Sequence, residues 1–163
     1  MEPVTVLPPD PGYRAVVAGL WTSGPVQSMD GYPQHGDTSC LLHCVRVSYL
    51  SYCRCLQKGL DARAAARAGL LHDLFLYDWH SYRRPAGVLL PHGFTHARTA
   101  LDNARRFFDL TRVEEDAILH HMWPLTPVPP MTPEGWVITR VDKWVSLLET
   151  FHRTVPLPKL SYL

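Results

Sequence analysis

Prolines punctuate this chain unevenly enough to mark out where helices can run. Of the 15 present, six lie within the first 33 residues, five between Pro124 and Pro133, and two in the tail at Pro156 and Pro158. Proline removes a backbone donor and clashes with the preceding turn, so helices of any length belong between these clusters. Asp37 or Thr38 can cap a segment running to about Lys58, with Leu41, Val45, Tyr49 and Tyr52 at helical spacing and Gly59 as its stop. Asp61 then caps a second segment, residues 62 to about 74, and the short connection predicts antiparallel neighbours. Residues 75–94 hold aromatics, two prolines and two glycines without periodicity and read as an irregular surface excursion. A third helix is expected from about Thr95 to Phe108, and a fourth from the capping box of Thr111 and Glu114 to about His121, ended by Pro124. Thr132 followed by Pro133 places a cap and an N1 proline for a last helix through about His152. The expected class is all-α, with residues 31–155 as the domain, residues 1–30 as an extension draped over it, and residues 156–163 as a tail.

A chain of 163 residues, 46% hydrophobic, is long enough to bury one core and too short to suggest two. Its net charge is +1, which disfavours sequence-independent nucleic-acid binding. No apolar run is long enough to span a membrane and no leader pattern opens the sequence, so a cytoplasmic protein is expected. Cys40, Cys44, Cys53 and Cys55 share one predicted helix, and their spacing is not a zinc-knuckle pattern; reduced thiols packed in or near the core are the simpler reading.

Nine histidines carry the functional information. Taken alone, a histidine is more often a surface residue or a satisfied polar one than a ligand. Here, however, the predicted helices distribute His43, the pair His72 and Asp73, His96, the tandem His120 and His121, and Asp142 one group to an element. Facing helices can aim such side chains at one point, and imidazole with carboxylate suits several divalent metals. Neighbours on an ideal helix point about 100° apart, so His72 and Asp73 share a site best at a helix end, with the Asp carboxylate free to bridge two ions. Ions bridged in this way, about 3.5–4 Å apart, can clamp a phosphoryl group and its attacking oxygen.

This ordered set resembles the HD-domain family of metal-dependent phosphohydrolases. The resemblance rests on Leu42-His43, on the run from Arg67 to Asp73, on His96 after Gly93-Phe94-Thr95, on Ala117 to His121, and on Asp142 between Val141 and Lys143. The 29-residue step from His43 to His72 and the 25-residue step from His96 to His121 are similar to those in the HD domain of RNase Y. It implies an HD-domain helical bundle of about five to seven helices with the metal site between them. It implies His43, His72, Asp73 and Asp142 as ligands of a first ion, Asp73 as the bridge, and His96 with His121 on a second. His120 is left as a neighbour or a proton donor. Where the family commonly continues the His-Asp pair with Ile-Gly-Lys, this chain has Leu74-Phe75-Leu76. The anion contact must then come from elsewhere, with Lys143, Arg46, Arg83 and Arg84 as candidates. His80 or His120 could protonate the leaving oxygen. Trp79, Trp123, His80 and His92 are candidates for the substrate pocket, against a default of simple packing; His35 and His152 carry no expectation beyond that of an ordinary histidine.

The reading that follows is a metal-dependent phosphohydrolase or phosphodiesterase with two divalent ions, acting on a small phosphoester such as a nucleotide. Iron, manganese, nickel, cobalt, zinc and magnesium all suit the ligand set, and no sequence feature speaks against a homo-oligomer. A di-iron oxygenase of the same fold, acting on a phosphonate or polyol, and a mononuclear nucleotidase are the alternatives. A non-enzymatic binding module would be free to lose a ligand, which the intact set argues against.

Overall fold

A computed structural model of the chain describes residues 5–35, 37–81 and 91–158. Within them run helices α1 (Pro11–Trp21) and α2 (Gly24–Ser28), a single 3₁₀ turn (Met29–Gly31), strands β1 (Pro33–His35) and β2 (Thr38–Ser39), and helices α3 (Cys40–Lys58), α4 (Ala62–Leu71), α5 (His92–Phe107), α6 (Arg112–His120) and α7 (Pro133–Thr150). The fold is all-α apart from the small antiparallel pair, in which Pro33 faces Ser39 and His35 faces Thr38. No helix among the described residues is long and apolar enough to cross a membrane.

α3 is buried on nearly every face and is the central element, packed against α4 on one side and α7 on the other. It ends at Gly59, whose φ of 65° is the left-handed conformation that a helix stop requires. α4 returns antiparallel, its first turn capped by Asp61 Oδ1 on the Ala64 amide. It comes very close to α3: a Cβ added at Gly69 would lie 2.7 Å from Ser48 Cα. That approach carries the end of α4 into the interior. α6 begins with the capping box, Thr111 Oγ1 accepting from the Glu114 amide and Glu114 Oε2 from the Thr111 amide. Thr132 caps α7 by a single bond, its Oγ1 accepting from the Gly135 amide.

The amino-terminal residues do more than drape over the bundle. α1 inserts Tyr13, Val17 and Leu20 into the core against α4. Burying such side chains contributes roughly 1.5–3 kcal/mol each. The Tyr13 hydroxyl donates to Ser48 Oγ at 2.9 Å, and Ser48 Oγ donates to the Ala66 carbonyl at 2.6 Å, tying three helices through one chain of hydrogen bonds. The β-hairpin is pinned next. Asp30 Oδ1 accepts from Thr5 Oγ1 at 2.8 Å and from Ser39 Oγ at 2.7 Å, and the Tyr32 carbonyl accepts from the Cys40 amide at 2.7 Å. Because the hairpin takes up Thr38, the cap of α3 falls on Ser39. α5 starts three residues before Thr95, directly after Pro91, and Thr95 Oγ1 donates inside the helix to the His92 carbonyl instead of capping it.

Candidate metal centre

Five helices bring the predicted ligands together. His43 sits in the first turn of α3, His72 and Asp73 follow the end of α4, His96 lies in the second turn of α5, His121 just past α6, and Asp142 midway along α7. All six are buried: His43 and His72 are 0% exposed, His121 1%, Asp73 3%, His96 5% and Asp142 7%.

The orientation of the four imidazoles is set by what each Nδ1 touches. His72 Nδ1 is 2.8 Å from the Gly69 carbonyl, His121 Nδ1 2.8 Å from the Ile118 carbonyl, and His96 Nδ1 3.0 Å from the His92 carbonyl. Carbonyl oxygens only accept, so each Nδ1 donates and the neutral ring presents a lone pair at Nε2. His43 does the same to a carboxylate, with Nδ1 2.7 Å from Glu149 Oε2, while Glu149 Oε1 is held at 2.9 Å by Arg46 Nη1. Outer contacts of this sort fix tautomer and ring angle in metal-ligating histidines.

The four Nε2 atoms then converge on the two oxygens of Asp73. On one side, Asp73 Oδ2 is 3.4 Å from His72 Nε2 and 3.8 Å from His43 Nε2, with Asp142 Oδ1 3.1 Å from His43 and 3.6 Å from His72. On the other, Asp73 Oδ1 is 3.3 Å from His96 Nε2 and 3.6 Å from His121 Nε2. Ligand atoms of His43, His72 and Asp73 lie within 4.8 Å of one another, as do those of Asp73, His96 and His121.

These residues fit a cation. His72 Nε2 and Asp73 Oδ1 are buried with no hydrogen-bond partner, a costly arrangement for polar atoms in a protein interior. His96 Nε2 and His121 Nε2 face each other at 3.1 Å although both rings already donate through Nδ1, so two lone pairs are opposed unless positive charge lies between them. Titration follows the same field. Burial alone would raise Asp73 and Asp142, but the surrounding histidines hold both well below the ordinary carboxylate range. Burial opposes charge on His43, yet the hydrogen bonds to Asp142 and Glu149 outweigh it and lift the ring well above its usual value. His121, buried and facing His72 and His96, is pushed down to about 3.

A cavity of about 840 Å³ opens onto Asp73. Asp73, His96, His121 and Asp142 form its polar floor, and Met122, Pro124, Leu125, Leu147 and Pro91 much of its apolar wall. Trp79 and His92 complete the wall with their rings stacked 5.3 Å apart at 9°, and His92 stacks in turn on His96 at 4.6 Å. Burial, with His96 beside it, lowers His92 to about 4. Lys143 lines the cavity and donates from Nζ to the His121 carbonyl at 3.1 Å; burial pulls its pKa down, and Asp142 partly restores it.

Four candidates are placed elsewhere. His120 turns its Nδ1 to Asp116 Oδ1 at 2.8 Å and does not line the cavity, because the end of α6 points its neighbour His121 inward instead. Arg46 lies behind His43, its guanidinium taken by Glu149, and makes no wall of the cavity. Trp123 packs edge-on against Trp136, ring centres 5.0 Å apart. His80 is exposed and lies against the wall residue Trp79, ring centres 3.8 Å apart and tilted by 31°, without lining the cavity itself. Arg83 and Arg84 fall outside the described residues. The four cysteines are free and buried, and none joins a metal-compatible group among the described residues.

Three residues of the site went unread in the sequence. Glu149 lies two helical turns beyond Asp142 on α7, a spacing that places both on one face and that could have found it. Gln34 and His35, on β1, both line the cavity, and Gln34 Nε2 donates to Asp73 Oδ2 at 2.6 Å; no periodicity marks them. Comparison of the chain with family models, with curated proteins and with solved structures gave no match.

Proposed function

We propose that the chain is a metal-dependent phosphohydrolase of the HD-domain kind, in which Asp73 bridges two divalent ions, and that it acts on a small phosphoester with an apolar or planar organic part, such as a nucleotide. The observation that carries this reading is the division of four imidazole nitrogens between the two oxygens of one buried carboxylate. His43, His72 and Asp142 would hold the first ion beside Asp73 Oδ2, and His96 and His121 the second beside Oδ1. Divalent ions in such a pair lower the pKa of coordinated water toward neutrality and neutralise charge on phosphoryl oxygens. Lys143 supplies cavity-facing positive charge to a phosphate oxygen that the ions do not reach. Met122, Pro124, Leu125 and Leu147 exclude water around the organic part, and the stacked Trp79 and His92 offer it a flat aromatic border. Buried positions and Nδ1 hydrogen bonds hold the ligand rings in place before substrate arrives, so little reorganisation is needed during reaction.

A di-iron oxygenase acting on a phosphonate or polyol is the second reading. Lys143 is the lysine or arginine that lines this largely apolar cavity among the described residues, fewer cations than a highly charged phosphate would attract. One experiment separates the two. Protein purified without chelator is analysed for metals, loaded in turn with manganese, cobalt, nickel, zinc, magnesium and iron, and assayed on p-nitrophenyl phosphate, its bis ester, a nucleotide panel, phosphonates and polyols, with dioxygen followed in parallel. About two metals per chain with release of phosphate or alcohol is the expected result. Dioxygen uptake by the iron form without hydrolysis would move the assignment to the oxygenase. One metal per chain with nucleotide hydrolysis would make it a mononuclear nucleotidase.

A further inference from the structure

The β1–β2 hairpin reaches into the metal centre through one side chain. Gln34 is 7% exposed, and its Nε2 stands 2.6 Å from Asp73 Oδ2, the shortest polar contact of that carboxylate. Its orientation is unambiguous, because a carboxylate oxygen accepts and the amide must turn its nitrogen toward it. We propose that Gln34 is a positioning residue: by donating to Oδ2 it fixes the plane of the Asp73 carboxylate, so that Oδ1 stays aimed at His96 and His121. This rests on the binuclear reading above.

A carboxylate on a single methylene turns readily about its last bond, and the imidazole contacts of Asp73 are all 3.3 Å or longer. The 2.6 Å donor is therefore what defines its plane. Gln34 is itself held in register by the pinning of the hairpin on Asp30 described above, so residues that are not themselves ligands decide how the bridge is presented. The consequence is unequal. The Oδ2 side keeps His43, His72 and Asp142 even when Asp73 rotates, whereas among the described residues the Oδ1 oxygen has His96 and His121 beside it. Loss of the Gln34 hydrogen bond should weaken the ion on the Oδ1 side.

The test is a cobalt(II) titration of the full chain, followed by visible absorption and by metal content after desalting, on wild type, Gln34→Met and Gln34→Glu. Gln34→Met keeps the length and removes the donor; Gln34→Glu keeps the shape and replaces the donor with an acceptor. Wild type should bind two equivalents. In both variants the weaker equivalent should bind about 10–100-fold less tightly, the usual consequence of losing an outer partner of a ligand, with an altered cobalt spectrum and the tighter equivalent retained. Melting in excess chelator reports the fold separately. Two wild-type-like equivalents in both variants would overturn the proposal, and so would a lowered melting temperature with unchanged cobalt affinity, the mark of a merely structural role. Should Gln34→Met or Gln34→Glu not fold, Gln34→Asn, which withdraws the amide by one methylene, is held to the same outcome. A wild type that binds one equivalent or none overturns the binuclear reading first and this inference with it.

Discussion

The two sides of Asp73 are built differently. The Oδ2 side belongs to the core. His43, His72 and Asp142 come from α3, the end of α4 and α7, elements packed directly on one another, and His43 is backed by Glu149 and Arg46. Neither His43 nor His72 lines the cavity. The Oδ1 side faces out. His96 and His121 come from α5 and α6, donate to carbonyls of their own helical turns rather than to a carboxylate, and line the cavity, as Asp142 alone of the other three does. An ion on the inner side would be part of what holds the bundle together, and one on the outer side would be the ion that meets substrate. On the proposed reading, structural tightness and access to substrate would be divided between two oxygens of one side chain.

Asp73→Asn should produce the largest effect because it strikes both sides. Hydrolysis of p-nitrophenyl phosphate should fall by at least about 10²–10³-fold, the scale of losing one preorganised electrostatic contact, with helical circular dichroism nearly unchanged. Retention of two metals by this variant would end the bridging assignment. The next contrast is between His43→Gln and His96→Gln. His43→Gln breaks a buried pairing with Glu149 and Asp142 and should cost about 3–5 kcal/mol in urea unfolding along with all bound metal. His96→Gln should leave the fold close to wild type and remove one ion of two. Equal destabilisation by the two variants would erase the distinction between inner and outer sides.

Sequence reasoning reached the helices that carry the candidate residues of both sides because helix boundaries depend on local signals. Capping residues at Asp61, Thr111 and Thr132 and the stop at Gly59 are written in short stretches of chain. α1 had such a signal too, in the cap Asp10 followed by Pro11, with Tyr13, Val17 and Leu20 at helical spacing. The density of prolines around it obscured that pattern. The cavity wall was legible only in part: Trp79, His92 and Lys143, named from the sequence, do line it, whereas Arg46, His80, His120 and Trp123 do not. His120 and His121 are adjacent, and only the point at which α6 ends decides which ring turns inward. Arg46 is one turn from His43, yet whether its guanidinium meets substrate or Glu149 depends on α7, about a hundred residues away. Gln34 reaches Asp73 across 39 residues, through a hairpin of five to seven residues with no repeating pattern.

Arg46→Met tests the buttress of the inner side alone. It leaves Glu149 buried beside His43 without its guanidinium partner, so that His43 alone opposes the burial against which His43 and Arg46 together hold the carboxyl below its ordinary value. The tighter metal equivalent should weaken by about tenfold or somewhat more, read by competition with a chelating dye, while the weaker equivalent and the cavity keep their properties. A loss confined to the weaker equivalent would show that the buttress serves the outer side instead.

The smallest effect concerns the outer wall and its dependence on pH. Asp116 on α6 accepts from the Thr132 amide at 2.9 Å, Thr132 Oγ1 at 2.7 Å and the Met131 amide at 3.0 Å, and so ties down the connection that carries Met122, Pro124 and Leu125. Burial would raise its pKa, but the bonds from Thr132, His120 and Met131 lower it below the ordinary value. A carboxyl depressed by folding stabilises fully above its unfolded pKa, about 3.9, and that stabilisation disappears as pH falls through the lower folded value. Asp116→Asn should therefore cost about 1 kcal/mol near pH 7, and its difference from wild type in urea midpoint, measured in chelator, should shrink as the pH is taken below 4. His43→Gln breaks a different contact, the buried pairing with Glu149 and Asp142, whose carboxyls are both held below their ordinary range, and should remain destabilised relative to wild type over the same range. A gap between wild type and Asp116→Asn that holds constant from pH 7 to pH 3 would mean that the wall is held by packing rather than by this carboxylate.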